Sequence, residues 1–176
     1  MKHLLPILIL LLATVGIAAT EIDQGEVCLV CHDGLEAEIN AAVPHPPAAQ
    51  GECSACHNPH VSRFEHLLQD RPGPLCVSCH EDLNQELTRP VVHEPVAEGR
   101  CVDCHEPHGG ANPKLMVRDT ASLCAGCHDG IKDWKKLPVQ HAPFAEGDCS
   151  TCHEPHASDH DALSALPIGE SCTQCH

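Results

Sequence analysis

All fourteen cysteines of this 176-residue chain fall in C-x-x-C-H units, and that arrangement constrains the fold more than any other feature. The seven units are Cys28, Cys31, His32; Cys53, Cys56, His57; Cys76, Cys79, His80; Cys101, Cys104, His105; Cys124, Cys127, His128; Cys149, Cys152, His153; and Cys172, Cys175, His176. The motif carries its own chemistry. Two thiols at this spacing add to the two vinyl groups of a haem, and the His that follows reaches iron as the proximal ligand. Zinc sites and disulfides also use paired cysteines, but neither requires a His after the second Cys of every pair. The expected cofactor is therefore covalently attached haem c, seven per chain.

The motifs are spaced regularly. Their first cysteines are separated alternately by 25 and 23 residues, so the true period is 48 residues with two motifs per unit. Val43, Val91 and Val139 obey the same period, as do Pro47, Pro95 and Pro143; Gly51, Gly99 and Gly147; and Leu67, Leu115 and Leu163. Such repetition marks an array of like units, running over about 28–75, 76–123 and 124–171, with a partial unit at 172–176.

Histidines outside the motifs keep this register. His45, His93 and His141 each stand eight residues before a motif cysteine, and His60, His108 and His156 each stand three residues after a proximal His. These six are the candidate distal axial ligands; six surface histidines with no role would have no reason to be periodic. Pro59, Pro107 and Pro155 precede the second set and fix φ there. Gly51, Gly99 and Gly147 would let the backbone pass close to a porphyrin face. Seven proximal histidines would need seven partners and the periodic set supplies six, so one terminal haem, that of Cys28 or of Cys172, is left over. His66 and His160 are the spare candidates for it, His160 serving Cys172 most simply.

The chain has no other obvious way to build a core. It contains two Phe, one Trp and no Tyr, and small scaffolds of this kind rely on cofactors or staples. Short helices are expected in DGLEAEINAAV, EDLNQEL and DGIKDWKK, each rich in acids at its start and closed by Pro44, Pro90 or Pro138. No run alternates long enough to predict a strand. The expected fold is mostly irregular with short α-helices, organised by haem and lacking a conventional core. Met1, Lys2 and the apolar run from Leu4 to Ala13, followed by Ala18 and Ala19, have the layout of a signal peptide over residues 1–19. The mature chain, residues 20–176, is then one exported, soluble multihaem domain, periplasmic or alternatively extracellular.

The run VVHEPVAEGRCVDCHEPH and its near-copy VQHAPFAEGDCSTCHEPH resemble the doubled-CXXCH family of multihaem c-type cytochromes. Units of that family read approximately H-x-P-x-x-x-G-x-C-x-x-C-H-x-P-H followed by L-C-x-x-C-H. The resemblance covers residues 43–176 and implies bis-His ligation by the extra histidines and electron carriage in respiratory chains to periplasmic, outer-membrane or extracellular acceptors. Two departures stand out: Ser171 replaces the leucine found at Leu75 and Leu123, and the first motif, at Cys28, has no upstream His.

Seven haems on so short a chain must lie in or near contact, which favours electron hopping along a row. Bis-His ligation, exposure and acidic surroundings favour the ferric state and low potentials. A formal charge of −15 argues against nucleic acid as a partner and suits docking to basic patches on redox proteins. An electron carrier is the leading expectation. A filament-forming conductive subunit and a small-oxyanion reductase acting at the odd haem are the alternatives.

Overall fold

The computed structural model describes residues 23–176, so the expected signal peptide at 1–19 lies outside the described residues. No helix among them is long and apolar enough to cross a membrane.

Secondary structure is sparse and repeats with the sequence. The acid-led segments form a 3₁₀ turn at Asp33–Leu35 running into a helix at Glu36–Ile39, and helices at Glu81–Glu86 and Asp129–Trp134. Each is followed by a proline, which cannot continue a helix. Further short helices, not foreseen from the pattern, follow the first set of extra histidines at Pro46–Ala49, Glu94–Ala97 and Ala142–Glu146. Proline sits in the first turn of each, where its missing N–H costs nothing. The cysteines that open the alternate motifs lie on helices Gln24–Leu29, Pro72–Val77, Thr120–Cys127 and Ile168–Thr173. Asp23 and Asp119 cap the first and third of these by accepting from the N–H groups of Glu26 and Ser122.

Four two-residue strands join the units: β1 (Val43–Pro44), β2 (Val91–Val92), β3 (Gly109–Gly110) and β4 (Ala157–Ser158). β1 pairs antiparallel with β3 and β2 with β4, so each unit docks on the next by the same register, Val43 opposite Gly110 and Val91 opposite Ser158. Strands this short have no stability of their own. They report a unit-to-unit contact of the kind seen in repeat proteins.

The interior confirms that side chains do not supply a core. Among the described residues the buried set is Gly25, Gly109, Ala157, Ser158 and Ser164, all small. Large apolar groups such as Val30, Trp134 and Val139 are exposed. Gly51, Gly99 and Gly147 adopt left-handed φ of 73°, 74° and 82°. Their close neighbours are the backbones of Gly25 and Gly73 for the first two and the Cβ of Ala121 for the third. These glycines allow a close helix-to-loop approach and a left-handed turn.

Candidate functional site

Proximal histidines of the even motifs are held by a repeated device. In each unit two consecutive non-glycine residues adopt left-handed φ near 55°: His66 and Leu67, Lys114 and Leu115, Ala162 and Leu163. The carbonyl of the first residue accepts from the Nδ1 of His57 (2.8 Å), His105 (2.9 Å) and His153 (3.0 Å). The leucine carbonyl accepts from the backbone N–H of Asn58, Glu106 and Glu154. Left-handed non-glycine residues are strained, and strain that recurs three times in register marks a functional geometry.

Distal candidates are positioned by the strand pairs. Docking β1 on β3 lets the His45 N–H donate to the His108 carbonyl and the His45 Nδ1 donate to the Pro107 carbonyl at 2.7 Å. One unit later, His93 makes the same two bonds to His156 and to Pro155, the latter at 3.0 Å. His108 Nδ1 lies 3.2 Å from Glu38 Oε2, and His156 Nδ1 lies 3.6 Å from Glu86 Oε2. Burial pushes the pKa of His156 down, while Glu86 works in the opposite direction. A carbonyl oxygen only accepts, so the bonded Nδ1 must carry the proton. That leaves Nε2 with its lone pair, the tautomer a metal ligand requires.

Five pairs of imidazoles face one another. The pairs are His45 with His80, His57 with His108, His93 with His128, His105 with His156 and His141 with His176, at ring-centre separations of 6.3, 6.1, 6.1, 6.0 and 5.9 Å. A metal bound between two imidazoles at about 2 Å from each nitrogen, with about 1.1 Å from nitrogen to ring centre, gives a separation of about 6 Å. The residues present therefore fit a bis-imidazole iron at each pair. Every pair joins one motif His to one His outside the motifs.

The pairing rule differs from simple neighbourhood in sequence. His80, His128 and His176 face histidines 35 residues upstream, whereas His57 and His105 face histidines 51 residues downstream, in the next unit. This revises the expectation about the odd haem. His176 is matched by His141, which places the Cys172 motif among the paired ones and takes the role expected of His160. Among the described residues no second imidazole is stacked on His32 or His153, so two motifs stand apart rather than one.

His60, though in register with His108 and His156, faces no motif His, because no unit precedes its own. Its N–H bonds instead to the Asn58 side chain at 3.1 Å. The His66 carbonyl accepts from His57 Nδ1. The His160 N–H is bound by Ser158 Oγ at 3.0 Å. The carboxylates of Glu38 and Glu86 and the left-handed turns were missed from the sequence, although Glu38 and Glu86 are one period apart.

The cysteines run in order along the chain of motifs. Burial raises the thiols of Cys53, Cys56, Cys104 and Cys124, helped by the neighbouring Cys28, Cys79, Cys127 and Cys149 respectively, and Cys101 raises that of Cys76. A hydrogen bond shared by Cys76 and Cys101 raises the thiol of Cys76 and draws that of Cys101 down to about 6. Burial, aided by Cys149, pushes Cys124 up to about 11. From the first motif to the sixth, consecutive motifs thus bring thiols within electrostatic reach of one another, an arrangement compatible with a row of adjacent haems. Among the described residues no two cysteines are joined in a disulfide, and no cluster of three or more His, Cys, Asp or Glu converges as a zinc site would need.

A family model described as the doubled CXXCH motif matches the chain three times, at residues 45–85, 93–133 and 141–176. No curated protein matches it.

Proposed function

Because the chain belongs to the doubled CXXCH motif family and is a multihaem c-type cytochrome of electron transfer, we propose that it holds seven haems in one row and acts as an exported, low-potential electron carrier. The haem supplies one-electron exchange between ferric and ferrous iron; the protein supplies spacing, ligation and electrostatic surroundings. The observation that carries this reading is the run of facing histidine pairs at His57, His80, His105 and His128, with the thiols of successive motifs close together between them.

Cys28 to Cys175 form the seven thioether pairs, and His32, His57, His80, His105, His128, His153 and His176 are the proximal ligands. His45, His93, His108, His141 and His156 are the distal ligands of five haems. Two axial imidazoles keep an iron low-spin and closed to substrate, which supports a carrier over an enzyme. The sparse, polar packing around the motifs leaves the haems accessible, and the net charge of −15 favours the ferric state, so potentials are low. The same charge directs docking toward basic patches on redox partners. The periplasm, or the extracellular space, is the compartment that haem attachment and the N-terminal pattern fit.

Titration of the fully reduced holoprotein with carbon monoxide tests the reading. Binding should stop at no more than two haems of seven, those at His32 and His153. Uptake by three or more would break the five-pair assignment.

A further inference from the structure

Four of the five distal histidines, His45, His93, His108 and His156, fall into two chemically different classes, although each stands opposite a motif His. The Nδ1 of His45 and of His93 donates to a neutral carbonyl, that of Pro107 or Pro155. The Nδ1 of His108 and of His156 faces a carboxylate, Glu38 or Glu86. The classes alternate along the motifs, with carboxylates at His57 and His105 and carbonyls at His80 and His128.

We infer that Glu38 and Glu86 hold the haems at His57 and His105 at lower potentials than those at His80 and His128, so that potential alternates along the row. The inference rests on these histidine pairs being axial ligands. A carboxylate accepting from Nδ1–H draws the imidazole toward imidazolate, which makes Nε2 a more basic ligand. A more basic ligand and a nearby negative charge both favour ferric over ferrous iron, whereas a carbonyl brings a dipole without net charge.

The fold places these glutamates deliberately. Glu38 lies on the helix Glu36–Ile39 of the first unit, and β3 of the second unit passes directly over its backbone. A Cβ at Gly109 would collide with the Glu38 carbonyl. That close approach sets the carboxylate beside His108, the residue preceding the strand. One period later Ala157 stands where Gly109 does, and the Glu86 contact is longer, 3.6 Å against 3.2 Å. The effect at His105 is therefore the smaller of the two. The third position in this register is Trp134, packed on Phe144 with ring centres 6.5 Å apart, so the haem at His153 receives no such carboxylate.

Glu38→Gln and Glu86→Gln keep size and hydrogen bonding while removing the charge. Potentiometric titration of each holoprotein, followed haem by haem through the paramagnetically shifted haem-methyl resonances, reads the outcome. Glu38→Gln should raise one haem alone, by about tenfold in its ferrous to ferric ratio at fixed potential, or about 59 mV for one electron. Glu86→Gln should raise a different haem by less, and Glu38→Asp should restore most of the wild-type value. Equal shifts at all haems, or none at any, would overturn the inference. His108→Ala separates the two layers of the account. If it makes one more haem high-spin than in the wild type while Glu38→Gln moves nothing, ligation stands and tuning fails; if the high-spin fraction stays as in the wild type, ligation itself fails.

Discussion

At the scale of single residues, the account turns on what binds each Nδ1. His57 and His105 are pinned by carbonyls of strained left-handed turns, His45 and His93 by proline carbonyls of the next unit, and His108 by a carboxylate. Pinning one nitrogen fixes the tautomer and orients the ring, so the ligand is prepared before iron arrives. Replacing His93 with Ala should therefore convert one haem, that at His128, from low-spin to high-spin while all haems remain attached, because thioether formation needs only the C-x-x-C-H unit. Electron paramagnetic resonance of the ferric protein reads this, and a high-spin fraction unchanged from the wild type would remove His93 from the ligand set. The periodic histidines were legible from the sequence because ligation demands a fixed residue type at a fixed register. The carbonyl partners were not, since any residue offers a carbonyl: His66, Lys114 and Ala162 fill one structural role with three unrelated side chains.

Among the elements, the joints between units explain what a linear reading could not reach. The helices after His32, His80 and His128 were recognisable from their acidic starts and terminal prolines. The strands were not, because two residues cannot show alternation and β1 to β4 exist only by pairing across a period. That same pairing decides which His faces which, so counting within one unit left the odd haem open between Cys28 and Cys172. The joints also differ from one another. Between the second and third units Arg89 bonds to the Glu154 carboxylate, reaches the Ala157 carbonyl at 3.0 Å and lies 3.5 Å from Asp159. The corresponding residue at the first joint is Ala41. Charge-assisted hydrogen bonds contribute roughly 1.5–3 kcal/mol when well shielded, and Arg89 with a side chain about one-third exposed contributes less. Arg89→Ala should cost about 1 kcal/mol in denaturant unfolding of the holoprotein and leave haem content unchanged. An unaltered midpoint would show that the strand pair alone holds this joint.

At the scale of the whole molecule, the buried residues among those described are glycine, alanine and serine, too small to form a side-chain core. Exposed apolar groups such as Val30, Val139 and Trp134 gain a reason if porphyrins cover them, since apolar surface is stabilised by removal from water. Units dock in register and motifs follow one another in sequence order. Everything in this account depends on haem at every motif. Intact mass spectrometry of the purified, exported protein under denaturing conditions measures that directly. The account predicts a single species carrying seven covalent haems. A mass equal to the bare chain, or to the chain with paired cysteines or bound zinc, would contradict it.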